Sequence, residues 1–147
     1  MAPSAKERDG LALRVALASL AALGLAISAY LTWTHFAGVA PACAGGSHGC
    51  ETVQSSRYAT FLGIPVSVVG LTGYAALLFS VALPTEGGVY LGFFLALVGT
   101  LFSAYLTYLE LFVVRALCQW CLASAAVMVA ALICATLGVW RLANEQG

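Results

Sequence analysis

Four of the five cysteines fall in two spaced pairs, Cys43 and Cys50 in "CAGGSHGC" and Cys118 and Cys121 in "CQWC". Side chains three apart on a helix share a face, so Cys118 and Cys121 can close a disulfide or hold a metal together. At a helix start the unpaired N–H groups and the dipole favour the thiolate, the form that attacks disulfides and binds metals. The competing reading is two buried cysteines acting as small apolar residues. The loop pair differs in setting. Gly45, Gly46 and Gly49 surround it, which lets the segment swing and close a small ring.

What positions these pairs follows from composition. The 147 residues are 62% hydrophobic and 8% charged, whereas a soluble domain carries about a quarter charged residues. So little charge cannot cover a water-facing surface, and most of the solvent must be lipid. A net charge of zero removes any argument for a nucleic-acid partner. Four apolar runs, at about 11–36, 62–83, 89–114 and 117–140, meet the ~20 residues that cross a ~30 Å hydrocarbon layer. They are too continuously apolar for barrel strands. The expected fold is therefore all-α, an integral membrane four-helix bundle forming one domain over 1–147.

The connections order the pairs in space. "PTEGG" joins the second and third runs and little more than "RAL" joins the third and fourth, whereas the loop at 37–61 is long and polar. Short connections force antiparallel neighbours, so the long loop and the "RAL" turn emerge at one membrane face with all four paired cysteines. Within the loop, Val53, Tyr58, Phe61 and Leu62 among polar residues predict a short half-helix over the mouth of the bundle. Lys6, Arg8, Arg14 and Arg141 lie at the other face, against Arg57 and Arg115 on the cysteine side. The positive-inside rule then puts both termini in the cytoplasm and the cysteines on the extracytoplasmic side of a multi-pass inner or plasma membrane protein. Gly24 with Ser28, Gly88 with Gly92 and Thr100 with Ala104 are small residues spaced for close helix packing.

A swinging, wet pair over a low-pKa pair at the lip of a lipid-filled cavity can pass electrons through mixed disulfides. A cofactor must finally take them, and a bilayer-soluble quinone can reach Cys121 between apolar helices. The zinc alternative uses Cys118, Cys121 and two of Cys43, His48 and Cys50, although an oxidising compartment disfavours free thiolates. A third reading is a structural membrane subunit with one stapled loop.

"CETVQSSRYATFLGIPVSVVG", "YLTYLELFVV" and "CQWC", with Cys43 seven positions before Cys50, resemble the vitamin K epoxide reductase family in its bacterial form over about residues 10–142. The resemblance implies a membrane thiol–disulfide oxidoreductase that forms disulfides. Cys43 would make the mixed disulfide with a reduced thioredoxin-like (DsbA-like) extracytoplasmic partner. Cys50 would hand electrons to Cys118, and Cys121 would be the thiolate facing a ubiquinone or menaquinone, with Ser56 near the quinone pocket. Animal members resemble a pattern with a Tyr where Ala125 stands and an Asn on the second helix, whereas Asn144 is the only Asn here. Disulfide formation is therefore expected over the alternative, epoxide or quinone reduction of the vitamin K kind. Many bacterial members carry a fused thioredoxin-like domain; with the chain ending at Gly147, a separate partner is expected.

The remaining candidates have plainer readings beside the functional ones. Cys134 reads as packing. His48 reads as a solvated loop residue rather than an activating imidazolium, and His35 as interfacial. Trp33, Trp120 and Trp140 lie near run ends, where aromatic belts form. Glu110 has two readings: a functional intramembrane carboxylate, or one close enough to the interface to pair with Arg115 or Arg57.

Overall fold

The computed structural model describes residues 2–43 and 48–147. Gly45 and Gly46, two of the glycines expected to let the redox loop swing, lie outside the described residues. Helix α1 spans Ala5–Ala37, earlier than the apolar pattern predicts. Ser4 and Glu7 form a reciprocal capping box, so the polar first turns are helical as well. Gly38, with φ 66°, closes the helix in the left-handed conformation that glycine adopts without steric cost.

Beyond the undescribed segment a short helix, α2, covers Gly49–Ser55 and buries Cys50 and Val53. The chain then forms a minimal antiparallel hairpin, β1 (Thr60–Phe61) and β2 (Ile64–Pro65), with Phe61 opposite Ile64. The hairpin corrects the expected helix over 62–83. Leu62 and Gly63 have φ of 51° and 81°, the positive-φ pair of a two-residue turn. Pro65 then caps helix α3, Val66–Ala82, which is only 17 residues long. Helix α4 spans Glu86–Tyr108 and continues as a π-helical turn over Leu109–Val114. Helix α5 spans Gln119–Gln146, longer than expected at its far end. Among the described residues three segments are long and apolar enough to cross a membrane: α1, α4 with its π turn, and α5.

Helix α1 packs on α3 and α5, and α4 packs on the same two. Where the four meet, the core consists largely of alanines: Ala21, Ala96, Ala131 and Ala135 around Leu77. Small residues let backbones approach closely, which is how helices associate where lipid removes the hydrophobic drive between them. Large apolar side chains point outward instead, among them Phe79, Phe94, Leu101 and Trp140.

One aromatic residue ties three helices together. A Cβ at Gly24 would collide with the ring of Tyr74, so α1 seats α3 through that glycine. The Tyr74 hydroxyl reaches the Ser124 carbonyl at 2.8 Å and the Ser124 hydroxyl at 2.9 Å on α5. Tyr74→Phe removes these bonds from a side chain 1% exposed. It is expected to cost about 1–3 kcal/mol, read as a lower denaturation midpoint in detergent micelles.

Candidate functional site

The two ends of the structure are chemically distinct. At one end Lys6 pairs with Glu145, Gln146 bonds Glu86, and Arg14 donates to the carbonyls of Val81 and Leu83. Cys134 lines a cavity at this end, far from the paired cysteines. At the other end stand α2, the hairpin, the π turn and the start of α5. All four paired cysteines are gathered there.

Cys43 and Cys50 are joined in a disulfide with their Cα atoms 6.3 Å apart. The segment leading to Cys43 is pinned from two sides. The Ala42 N–H donates to the Tyr30 hydroxyl at 2.9 Å, and the Trp120 indole N–H donates to the Ala42 carbonyl at 2.6 Å. The Tyr30 and Trp120 rings pack with centroids 4.9 Å apart. Trp120, read from its place near a run end as a belt residue, thus holds the approach to the loop disulfide. Trp33 and Trp140 are exposed at 62% and 63%. His48 is exposed and faces Glu51 at 3.5 Å.

Cys50, Val53 and Cys118 form one buried cluster, with Cys43 and Cys121 packed against it. Cys50 and Cys118 are both fully buried. The contact depends on Gly49. A Cβ there would strike the Leu117 carbonyl oxygen, so only glycine lets α2 sit against the turn that precedes α5.

Cys118 is the N-cap of α5, and its Sγ accepts the Cys121 N–H at 3.4 Å. The dipole benefit expected of the pair therefore falls first on Cys118. Its thiol is held below the usual range chiefly by the hydrogen bond with the Cys121 thiol, against the opposing effect of burial. The Cys118 N–H itself donates to Glu110 Oε2 at 3.2 Å. Glu110 is buried, at 4% exposure, and sits on the π turn that Arg115 closes in a left-handed conformation with φ 56°. The Glu110 carbonyl accepts the N–H groups of both Arg115 and Ala116. π turns recur at functional sites because the inserted residue re-aims a side chain. Neither Arg115 nor Arg57 pairs with Glu110 among the described residues; Arg57 bonds the Tyr58 hydroxyl.

Cys121 alone of the pair lines a cavity of about 360 Å³ bounded by α2, the hairpin, α3, α4 and α5. Its Sγ accepts the Gln54 amide at 3.6 Å. The lining is largely apolar, with Phe61 and Phe102 in edge contact at 5.8 Å. Ser56, Tyr58, Ser67, Tyr74, Glu110 and Ser124 supply polar groups. Ser56 Oγ donates to the Val53 carbonyl at 2.7 Å, whereas the buried Ser67 Oγ has no partner among the described residues. Sequence reasoning missed Gln54, Ser67, Tyr74 and Ser124. The hairpin and the register of α3 turn Ser67 and Tyr74 toward the cavity, and the seats of α2 and α5 bring Gln54 and Ser124 to it. The groups named for a zinc site are not assembled. Cys43 and Cys50 are spent in the disulfide, and among the described residues no three His, Cys, Asp or Glu side chains could hold an ion.

This geometry makes a prediction independent of any assay. In a Cys43→Ala/Cys121→Ala background, Cys50 and Cys118 are expected to cross-link readily under mild oxidation, read by gel mobility. Adding Gly49→Ala should suppress the cross-link and cost about 1–3 kcal/mol, as overpacking a tight contact does. A cross-link that forms equally fast would mean that α2 does not need its close seat.

Two cysteine pairs meet at a seven-residue helix at the end of long apolar helices, with Cys50 and Cys118 buried between a half-buried Cys43 and a Cys121 that lines a largely apolar cavity. The model of the vitamin K epoxide reductase family matches residues 15–136, which takes in both pairs and the cavity. On that match, the chain belongs to the vitamin K epoxide reductase family, whose members are oxidoreductases.

Proposed function

We propose that the protein oxidises the dithiol of a separate thioredoxin-like extracytoplasmic protein and delivers the electrons to a membrane quinone. The observation that carries this is the burial of Cys50 against Cys118 with Cys121 at the cavity wall. In the first exchange a partner thiolate attacks Cys43, breaks the Cys43–Cys50 bond and leaves Cys50 as a thiol. The partner's second thiol then closes the partner's own disulfide and releases Cys43, so two electrons and two protons have entered the loop pair. When the inner pair is oxidised, Cys50 attacks Cys118 and frees Cys121. Cys43 then resolves the Cys50–Cys118 bond, restoring the loop disulfide and leaving two inner thiols. The described arrangement, with the loop pair closed and Cys118 and Cys121 free, corresponds to that last state.

The cavity suits a quinone. It is largely apolar and ring-sized, the Ser67 hydroxyl is buried without a partner among the described residues, and none of the lining residues is basic. A bound quinone supplies a two-electron, two-proton acceptor that leaves as quinol. Ser67 is placed to orient one carbonyl oxygen, Ser56 can donate to the other only by giving up its bond to the Val53 carbonyl, and Phe61 and Phe102 are placed to pack the ring. Membership of a quinone-linked family supports the same choice.

The proposed setting is a four-span bundle, in which α3 with its hairpin completes the fourth crossing beside the three long spans. Lys6, Arg8, Arg14 and Arg141 all lie at the end opposite the paired cysteines. The excess of basic residues there supports a setting with both termini in the cytoplasm and the cysteine pairs outside.

The test mixes the purified protein with reduced thioredoxin-like protein and either ubiquinone or menaquinone, and follows quinone absorbance. Wild type is expected to consume quinone. Cys121→Ala should fall to the rate without protein, Cys118→Ala should do the same, and Cys43→Ala should stop partner oxidation. Full partner oxidation by Cys43→Ala would remove the loop from the path.

A further inference from the structure

Among the described residues Glu110 is the one buried charged side chain, and the exchange above gives it no task. Removing a carboxylate from water is costly unless it is paired or used. No basic residue lines the cavity it borders, and it forms no ion pair among the described residues. Its contacts are instead with the redox pair. Oε2 accepts the Cys118 N–H at 3.2 Å, and Glu110 and Cys121 line the same cavity. The titratable groups that share the cavity wall with it are Cys121, Tyr58 and Tyr74. Cys118 faces it from the start of α5, and Cys50, closed in its disulfide, lies across the cluster.

We propose that Glu110 is the proton acceptor of the inner cysteine pair and the donor to the quinone, an inference that rests on the relay proposed above. Closing Cys118 and Cys121 to a disulfide forms one S–S bond and releases two electrons and two protons. The electrons go to the quinone. Each proton passes in turn from the Cys121 thiol to Glu110 and from Glu110 to an oxygen of the quinone in the cavity. The Cys118 proton passes to Glu110 in the same way, since the carboxyl already lies on the Cys118 N–H. Glu110 ends as it began, and quinol carries both protons away. A carboxyl at this position has a physical reason: it is buried in a largely apolar wall, where a resident base can collect what bulk water would otherwise take.

Glu110→Gln separates this role from a structural one, because the amide oxygen can still accept the Cys118 N–H while the side chain can carry no proton. Quinone reduction by Glu110→Gln is expected to fall roughly 10²-fold or more, the usual size of a lost acid–base group. The residual rate should climb with pH as solution base substitutes, and Glu110→Asp should recover part of the loss. A second measurement needs no quinone. In the reduced protein, alkylation of Cys121 followed by mass spectrometry should be nearly flat with pH around neutrality, because one proton is shared between thiol and carboxyl. In Glu110→Gln it should rise about tenfold per pH unit toward the thiol's own range.

Identical alkylation profiles would overturn the assignment whatever the quinone assay shows. If wild type reduces quinone and Glu110→Gln does so at the same rate, the delivery to quinone is overturned while the relay stands. If the profiles differ but wild type consumes no quinone, the relay reading falls and Glu110 is retained as the acceptor of the pair alone.

Discussion

The start of α5 sets the terms for everything around it. A helix N-terminus leaves backbone N–H groups without intrahelical partners, and in apolar surroundings each must find an acceptor. Here the acceptors are chemically active ones. The sulfur of Cys118 takes the Cys121 N–H and the carboxylate of Glu110 takes the Cys118 N–H. Moving either acceptor away would expose an unsatisfied donor, so the fold holds the reactive groups in place by the need to satisfy its own backbone. The π turn at Leu109–Val114 serves the same need, since it aims Glu110 at the helix start that follows it.

From that fixed point the site divides into a side facing the loop and a side facing the apolar cavity. Cys118 meets Cys50 in a buried contact, whereas Cys121, one turn along, meets the cavity. The division follows from helix geometry: positions three apart share a face but sit a turn apart along the axis. A pair at this spacing can touch two different media without either sulfur moving far. The loop side is held as firmly. Tyr30 and Trp120 both grip Ala42, and Gly49 lets α2 lie against Leu117. Both anchor points reach back to the element that carries Cys118 or to the turn before it.

Much of this could be read from the residues. The length of the apolar runs and the low charge placed the cysteines at a bundle end, and the uneven connections placed them at the same end. What could not be read has physical causes. The run at 62–83 looks uniformly apolar, but the paired positive φ angles of Leu62 and Gly63 turn it into a hairpin before α3 begins. That hairpin sets which polar residues of α3 line the cavity, so Ser67 and Tyr74 carried no signal in a one-dimensional pattern. Trp120 matched a belt position because composition near a run end cannot tell a lipid contact from an indole that reaches the Ala42 carbonyl. Glu110 left two readings open, and its burial beside Cys118 and Cys121 favours the intramembrane one.

The burial of Cys50 and Cys118 also bears on selectivity. Thiolates in water exchange with any accessible disulfide, at rates set by thiolate fraction and access. A relay that kept all four cysteines exposed would leak electrons to adventitious thiols and oxidants. In this structure Cys50 and Cys118 have no exposed surface, and Cys43, half-buried at the outer edge of the cluster, is the sulfur left for a partner. In the proposed relay this confines entry to one loop sulfur and exit to one cavity sulfur, with the transfer between them made in the buried contact of Cys50 and Cys118. The seven residues of α2 are enough to enforce this, because a single helical turn of Cys50 and Val53 covers Cys118.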